Sequence, residues 1–260
     1  MKCSATVSMR SLLLFLCAWS AISVTRAADR EPLTVNWYHK ATFLQPVIDA
    51  FTADSGIAVK VTDAYDKFDT DVILVSDYKS LTEAKKLNSF QAIGSPDLDA
   101  IVPPRWRDRD GYWYGVLLRA RAVIYNKAQV KPGEIKSYAD LADKKWQGRV
   151  ALRPATSVYN RSLLASMIVH DGVGVNAGTE RKDDAMKLVR YLLSQKGQAL
   201  LSQHVFKYPV RADVAPHPQL QAWGDFRRDD LNLNDLELHY DEADGIFRAV
   251  GWRGWLNRVR

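Results

Sequence analysis

Cysteine is nearly missing from this 260-residue chain: the two present, Cys3 and Cys17, both lie in the first 27 residues. Those residues have the plan of a secretory leader, with Lys2 and Arg10 in front, an apolar run from Leu12 to Val24 and a small-residue end. The apolar run is shorter than the roughly 20 residues a membrane span requires. Cleavage is expected after Ala27, with Ala28 as the alternative. A lipid-anchor reading of Cys17 fails at Leu16, where a small residue is needed. The exported chain would then hold no cysteine, which excludes a disulfide framework, a thiolate nucleophile and a cysteine-based zinc site. Its hydrophobic core must supply the stability.

Charge of one sign is also scarce. Lys and Arg number 36 against 30 Asp and Glu, and half of that excess, Lys2, Arg10 and Arg26, leaves with the leader. A nucleic-acid partner gains no support from so small a surplus. The chain lacks internal repeats, low-complexity blocks and flexible linkers. It has no Gly-x-Ser-x-Gly elbow and no phosphate loop, and its five histidines (His39, His170, His204, His217, His239) lack metalloprotease spacing. The acidic stretch "RRDDLNLNDLELHYDEAD" lacks the glycine and spacing of a calcium loop and reads as solvated surface. No constellation for an enzyme is present.

Alternating strands and helices are present instead. "LTVNWY" (33–38) predicts a strand, "TFLQPVIDAFTADSG" a helix closed by Gly56, and "IAVKV" (57–61) a second strand. "TDVILVSD" (70–77) predicts a third, whose unbroken apolar run suits a parallel strand buried on both faces. A helix follows in "YKSLTEAKKLN". After a proline loop, "VLLRARAVIYN" (116–126) predicts one long strand, "SYADLADKKWQG" a short helix from Ser137, and "RVALRP" another strand. A helix is expected from Asn160 to His170, two more in "RKDDAMKLVRYLLS" and "KGQALLSQH", an extended piece at "FKYPV", and an amphipathic helical tail. The pattern is that of an α/β fold with parallel strands.

Three groups draw attention chemically. Tyr159 stands just before a helix start, with Asn160 as its N-cap. The unpaired N–H groups and dipole there favour negative charge, so a phenolate would be stabilised; the bland alternative is a tyrosine that packs and hydrogen-bonds locally. Tyr38 and His39 follow the first strand, at the carboxyl edge where ligand sites of α/β sheets form; a surface histidine and a packing aromatic are the alternatives. Arg119 and Arg121 are two apart and share a strand face. Such forks bind planar anions bidentately, unless they are solvated or pair with Asp108 and Asp110. Arg105, in the proline loop, is a weaker candidate.

The run "RDRDGYWYGVLLRARAVIYNKAQVKP", followed by "SYADLADKKWQGRVALRPATSVYNRSLLASMI", resembles the periplasmic ferric-ion-binding proteins of ABC transporters, a transferrin-like solute-binding family. The opening strand and helix, "YLLSQKGQALLSQHVFKYPV" and "LNLN" extend the likeness over nearly the whole exported chain. The resemblance implies a two-lobe periplasmic-binding-protein fold. Its expected parts are a leader (1–27), a first lobe (28–118), a second-lobe remnant (119–175), a return to the first lobe (176–207) and a C-terminal part packing on the second lobe (208–260). The second lobe is truncated. A helix found in the family between "DAYDKF" and "DTDVILV" is missing, as is a larger block after "MIVHDG" that carries adjacent tyrosine ligands. No Tyr-Tyr pair occurs here.

The resemblance further implies capture of ferric iron, or a ferric chelate, in the periplasm by a monomer serving an inner-membrane ABC permease. Tyr159, His39 and Tyr38 would be metal ligands. Arg119, with Arg121, would hold a synergistic carbonate-like anion. Ferric iron is a hard cation that favours anionic oxygen donors, and its charge can drive off a phenolic proton. The rival expectation is a shortened relative that binds a periplasmic sensor or interaction partner.

Overall fold

The computed structural model describes residues 30–63, 68–120, 122–153, 168–224 and 232–251. The expected leader, Arg121 and Tyr159 lie outside the described residues. Strand β1 (Leu33–Trp37) leads into helix α1 (Ala41–Ser55), which ends at Gly56 in the left-handed conformation, φ 71°, as its sequence predicts. Then come β2 (Val59–Thr62), β3 (Val72–Val75), α2 (Tyr78–Lys86), β4 (Phe90–Gln91) and α3 (Pro96–Ile101). Helix α2 is capped by Asp77, whose carboxylate accepts from the Ser80 N–H at 2.9 Å. The chain continues with β5 (Trp113–Ala120), β6 (Ile168–Asn176), α4 (Lys182–Leu193), α5 (Gln195–Val205), β7 (Tyr208–Pro209), α6 (Pro218–Gln221) and α7 (Tyr240–Ala249).

The strands form one sheet in the order β2-β1-β3-β6-β5-β7, with β4 also pairing with β6. β1 pairs in parallel with β2 and β3, as the sequence predicts. The sheet is nonetheless mixed, because β6 runs antiparallel to β3 and β5, and β7 antiparallel to β5. Every residue of β3 is buried, consistent with cover on both faces.

Three local expectations are corrected. Residues 168–170 do not end a helix but begin β6, which pairs with β3, β4 and β5. Its glycines explain the fit. A side chain at Gly172 would strike Leu81, and one at Gly174 would strike Phe90. The long strand stops at Ala120 rather than 126, and "RVALRP" forms no strand over its described residues 149–153. In 122–153 only Val130 and Trp146 are buried. A strand requires a neighbour to satisfy its backbone and cover its apolar face, and this stretch has no strand partner among the described residues.

Ser137 does start the predicted short helix, through a capping box with Asp140, but the turns that follow (138–142 and 144–146) are 3-10. Helices α1, α4 and α5 pack on one another beside the sheet, and Leu44, Val47, Ile48 and Phe51 of α1 are buried there. No described helix is long and apolar enough to cross a membrane.

Candidate functional site

Sheet direction brings distant residues to one edge. β1, β3 and β5 all end there, so His39, Ser76 and Arg119 arrive from their carboxyl ends. β6 and β7 run the opposite way, so Asp171 and Lys207 arrive near their amino ends. Open α/β sheets bind ligands at this edge.

Asp171 is at the centre and fully buried. Its Oδ2 accepts from Lys207 Nζ, and its Oδ1 lies 3.3 Å from Arg119 Nη2. Arg119 Nη2 also donates to the Ser76 carbonyl. Lys207 Nζ stands 2.8 Å from His39 Nε2 and 5.4 Å from the centre of the Trp37 ring. His39 packs edge-on between Trp37, at 5.3 Å, and Tyr38, at 5.2 Å.

The electrostatics follow from burial and charge count. Burial and the neighbouring Lys207 push the His39 imidazole down to about 4, against a partial opposing pull from Asp171. The ring is neutral at physiological pH. Burial also pushes the Lys207 ammonium below the usual lysine range, while Asp171 works the other way. Nearby Asp77 is raised by burial, despite its hydrogen bonds to Ser80. Among the described residues, Lys207 and Arg119 are the cations beside the Asp171 carboxylate, and Arg119 also acts on Asp77. Arg119, the more exposed of the two, is the cation an approaching anion would meet.

Of the residues singled out from sequence, the structure gathers His39, Tyr38 and Arg119 here. Arg119 pairs with Asp171 and not with Asp108 or Asp110, which bind Lys85 at 2.8 and 2.6 Å. Arg105 lies over the Trp106 ring. Among the described residues, no group of three or more His, Cys, Asp or Glu is placed to hold a metal ion.

Sequence reasoning missed Asp171 and Lys207. A signal existed for the first: a carboxylate inside the apolar run "IVHDGVGV" requires a buried cation. Nothing in "FKYPV" shows that Lys207 supplies it, since the two are joined only by folding.

The fold with this edge is that of the periplasmic binding proteins. It matches Trichodesmium FutA, solved in complex with iron and citrate ligands, with a TM-score of 0.76 at 21% identity, covering 86% of this chain and 100% of that one. In sequence, the bacterial extracellular solute-binding protein family matches residues 70–172. Iron uptake protein A1 of Synechocystis sp. is 26% identical, with 95% of each chain covered. That alignment runs over 343 positions, more than this chain has residues, so the relative carries segments that are missing here. The Fe(3+)-binding periplasmic protein of Serratia marcescens is 27% identical over 88% of this chain and 70% of its own length. The resemblance to periplasmic ferric-ion-binding proteins, in shortened form, rests on these matches.

Proposed function

We propose that the protein captures ferric iron in the periplasm, as an anion-bearing chelate, and delivers it to an inner-membrane ABC permease. The observation that carries this reading is the cationic edge itself: Arg119 and Lys207 around one buried carboxylate, on a fold and sequence whose relatives bear the names of iron-uptake and iron-binding proteins. Tyr159 would donate a phenolate. Arg119, with Arg121, would hold the anion, whether carbonate or a carboxylate of the chelator, and Tyr38 and His39 would flank it. Bound ligand would favour the closed arrangement of the lobes through contacts made only there.

With no adjacent tyrosine pair, few anionic donors remain for naked Fe3+. A chelator's oxygens would fill the vacant positions. The test is titration with ferric citrate followed by absorbance, with circular dichroism as fold control. A phenolate-to-iron band should appear in the wild type and vanish in Tyr159→Phe. Arg119→Lys, which keeps charge but loses the planar fork, should bind at least tenfold more weakly by calorimetry. Binding of naked Fe3+ tighter than ferric citrate, or a colour that survives in Tyr159→Phe, overturns the reading. The missing tyrosine pair also supports a second role, as a periplasmic sensor or interaction partner. Complete absence of ferric citrate binding would favour it.

A further inference from the structure

We infer that Lys207 is a built-in cation that fills the point shared by His39 Nε2 and Asp171 Oδ2, and thereby excludes metal from His39. The geometry is that of a cation site. A ring nitrogen and a carboxylate oxygen, 132 positions apart in sequence, converge on one atom, Lys207 Nζ, at 2.8 Å from the nitrogen and in hydrogen-bond contact with the oxygen. Imidazole and carboxylate are ordinary donors to transition metals.

An ammonium has three protons and no acceptor. His39 must therefore accept through Nε2 and carry its own ring proton on Nδ1. The lone pair a metal would need is engaged.

Displacing the ammonium is unfavourable for reasons visible in its surroundings. Its side chain is 6% exposed and that of Asp171 0%, so the pair is shielded from water and from screening salt. The Trp37 ring faces the same ammonium. Arg119, on the other carboxylate oxygen, would remain as a cation beside any incoming Fe3+. Among the described residues, the charges that act on His39 are Lys207, Arg119 and Asp171, so a trivalent ion entering there would face repulsion from both cations, whereas an anionic chelate would be drawn to them. This inference rests on the proposed function only for the identity of the cargo. Iron would then be held by the chelator and the proposed Tyr159 phenolate, with His39 left as an acceptor for Lys207.

Cobalt(II) is the probe, because it binds imidazole and reports coordination by absorbance. Wild-type protein should show no cobalt binding that depends on His39, so His39→Gln should leave its titration unchanged. Lys207→Ala should gain a cobalt site at least tenfold tighter than any in the wild type, and the double variant with His39→Gln should lose it. In case Lys207→Ala does not fold, a wild-type measurement stands beside it. Nitrogen NMR of 15N-histidine-labelled protein should show His39 as the Nδ1–H tautomer, unchanged by saturating gallium citrate. Three results would each overturn the inference: His39-dependent cobalt binding by the wild type, a metal-bound Nε2 signal with gallium citrate, or a folded Lys207→Ala that gains no cobalt site. Loss of the ferric citrate band would remove the proposed function, yet the cobalt titrations and the tautomer would still decide the role of Lys207.

Discussion

The sheet and residues 122–153 have comparable stretches of apolar sequence and opposite fates. In β3 and β5, Val72 to Val75 and Trp113 to Leu118 are buried. In the other stretch Ile124 is 92% exposed and Leu152 56%. Both "VILV" and "AVIY" are built of apolar and aromatic residues, so residue class alone does not foretell opposite fates. The difference is a neighbour: β3 lies between β1 and β6, whereas 122–153 pairs with no strand among the described residues. An apolar segment becomes a strand when another covers its face and satisfies its backbone.

The largest effect that would sharpen this contrast is at Trp113, which is 1% exposed. Trp113→Ala should destabilise by about 3–5 kcal/mol through lost burial and the cavity left behind, read as a lower midpoint in urea unfolding. A loss under about 1 kcal/mol would mean that the sheet is not the stabilising core.

Next comes the charged edge of the same sheet. Asp171→Asn keeps the volume but leaves Lys207 and Arg119 without their carboxylate. Removing one partner of a buried ion pair should cost about 3 kcal/mol, measured in the same way; an unchanged midpoint would show that the pair is hydrated in solution.

A smaller effect is expected at Asp71, which pins β3 to β1. Burial pushes its carboxyl up, but hydrogen bonds from Thr179 and from the Thr34 N–H and hydroxyl, together with Arg181, outweigh that and hold it below 3.8. A depressed folded-state pKa contributes stability that is present above the unfolded value and lost as pH falls through the folded one. Acid unfolding should therefore have a steeper pH dependence below about pH 4 in the wild type than in Asp71→Asn. Parallel curves for the two would remove Asp71 from the account. Smallest of all is Leu152→Ala in the other region, expected to change stability by no more than about 0.5 kcal/mol; a loss comparable to that of Trp113→Ala would erase the contrast between the two regions.

Much of the first half of the fold was legible in residue order. Gly56 marked the end of α1, Ser137 the start of the short helical turns, and the run Val72–Val75 a strand buried on both faces. The errors cluster where sequence is ambiguous. "MIVH" suits a helix end as well as a strand start, and only the pairing of β6 with β3 and β5, with Leu81 and Phe90 packed over Gly172 and Gly174, decides for the strand. Strand direction was also hidden, because antiparallel β6 returns from a distant part of the chain.

By itself, the sequence determined the alternation of strands and helices, the caps that end them, and the residue types, arginine, histidine and tyrosine, on which the proposed binding of an anionic iron complex draws. Local chemistry suffices for these, since caps and periodicity involve residues a few positions apart. Only the tertiary structure decided that His39, Arg119, Asp171 and Lys207 share one edge of the sheet. The physical reason is that a charge inside a protein must find a partner wherever the fold places one. For Asp171 those partners come from the end of β5 and the start of β7, positions that no spacing in the sequence connects.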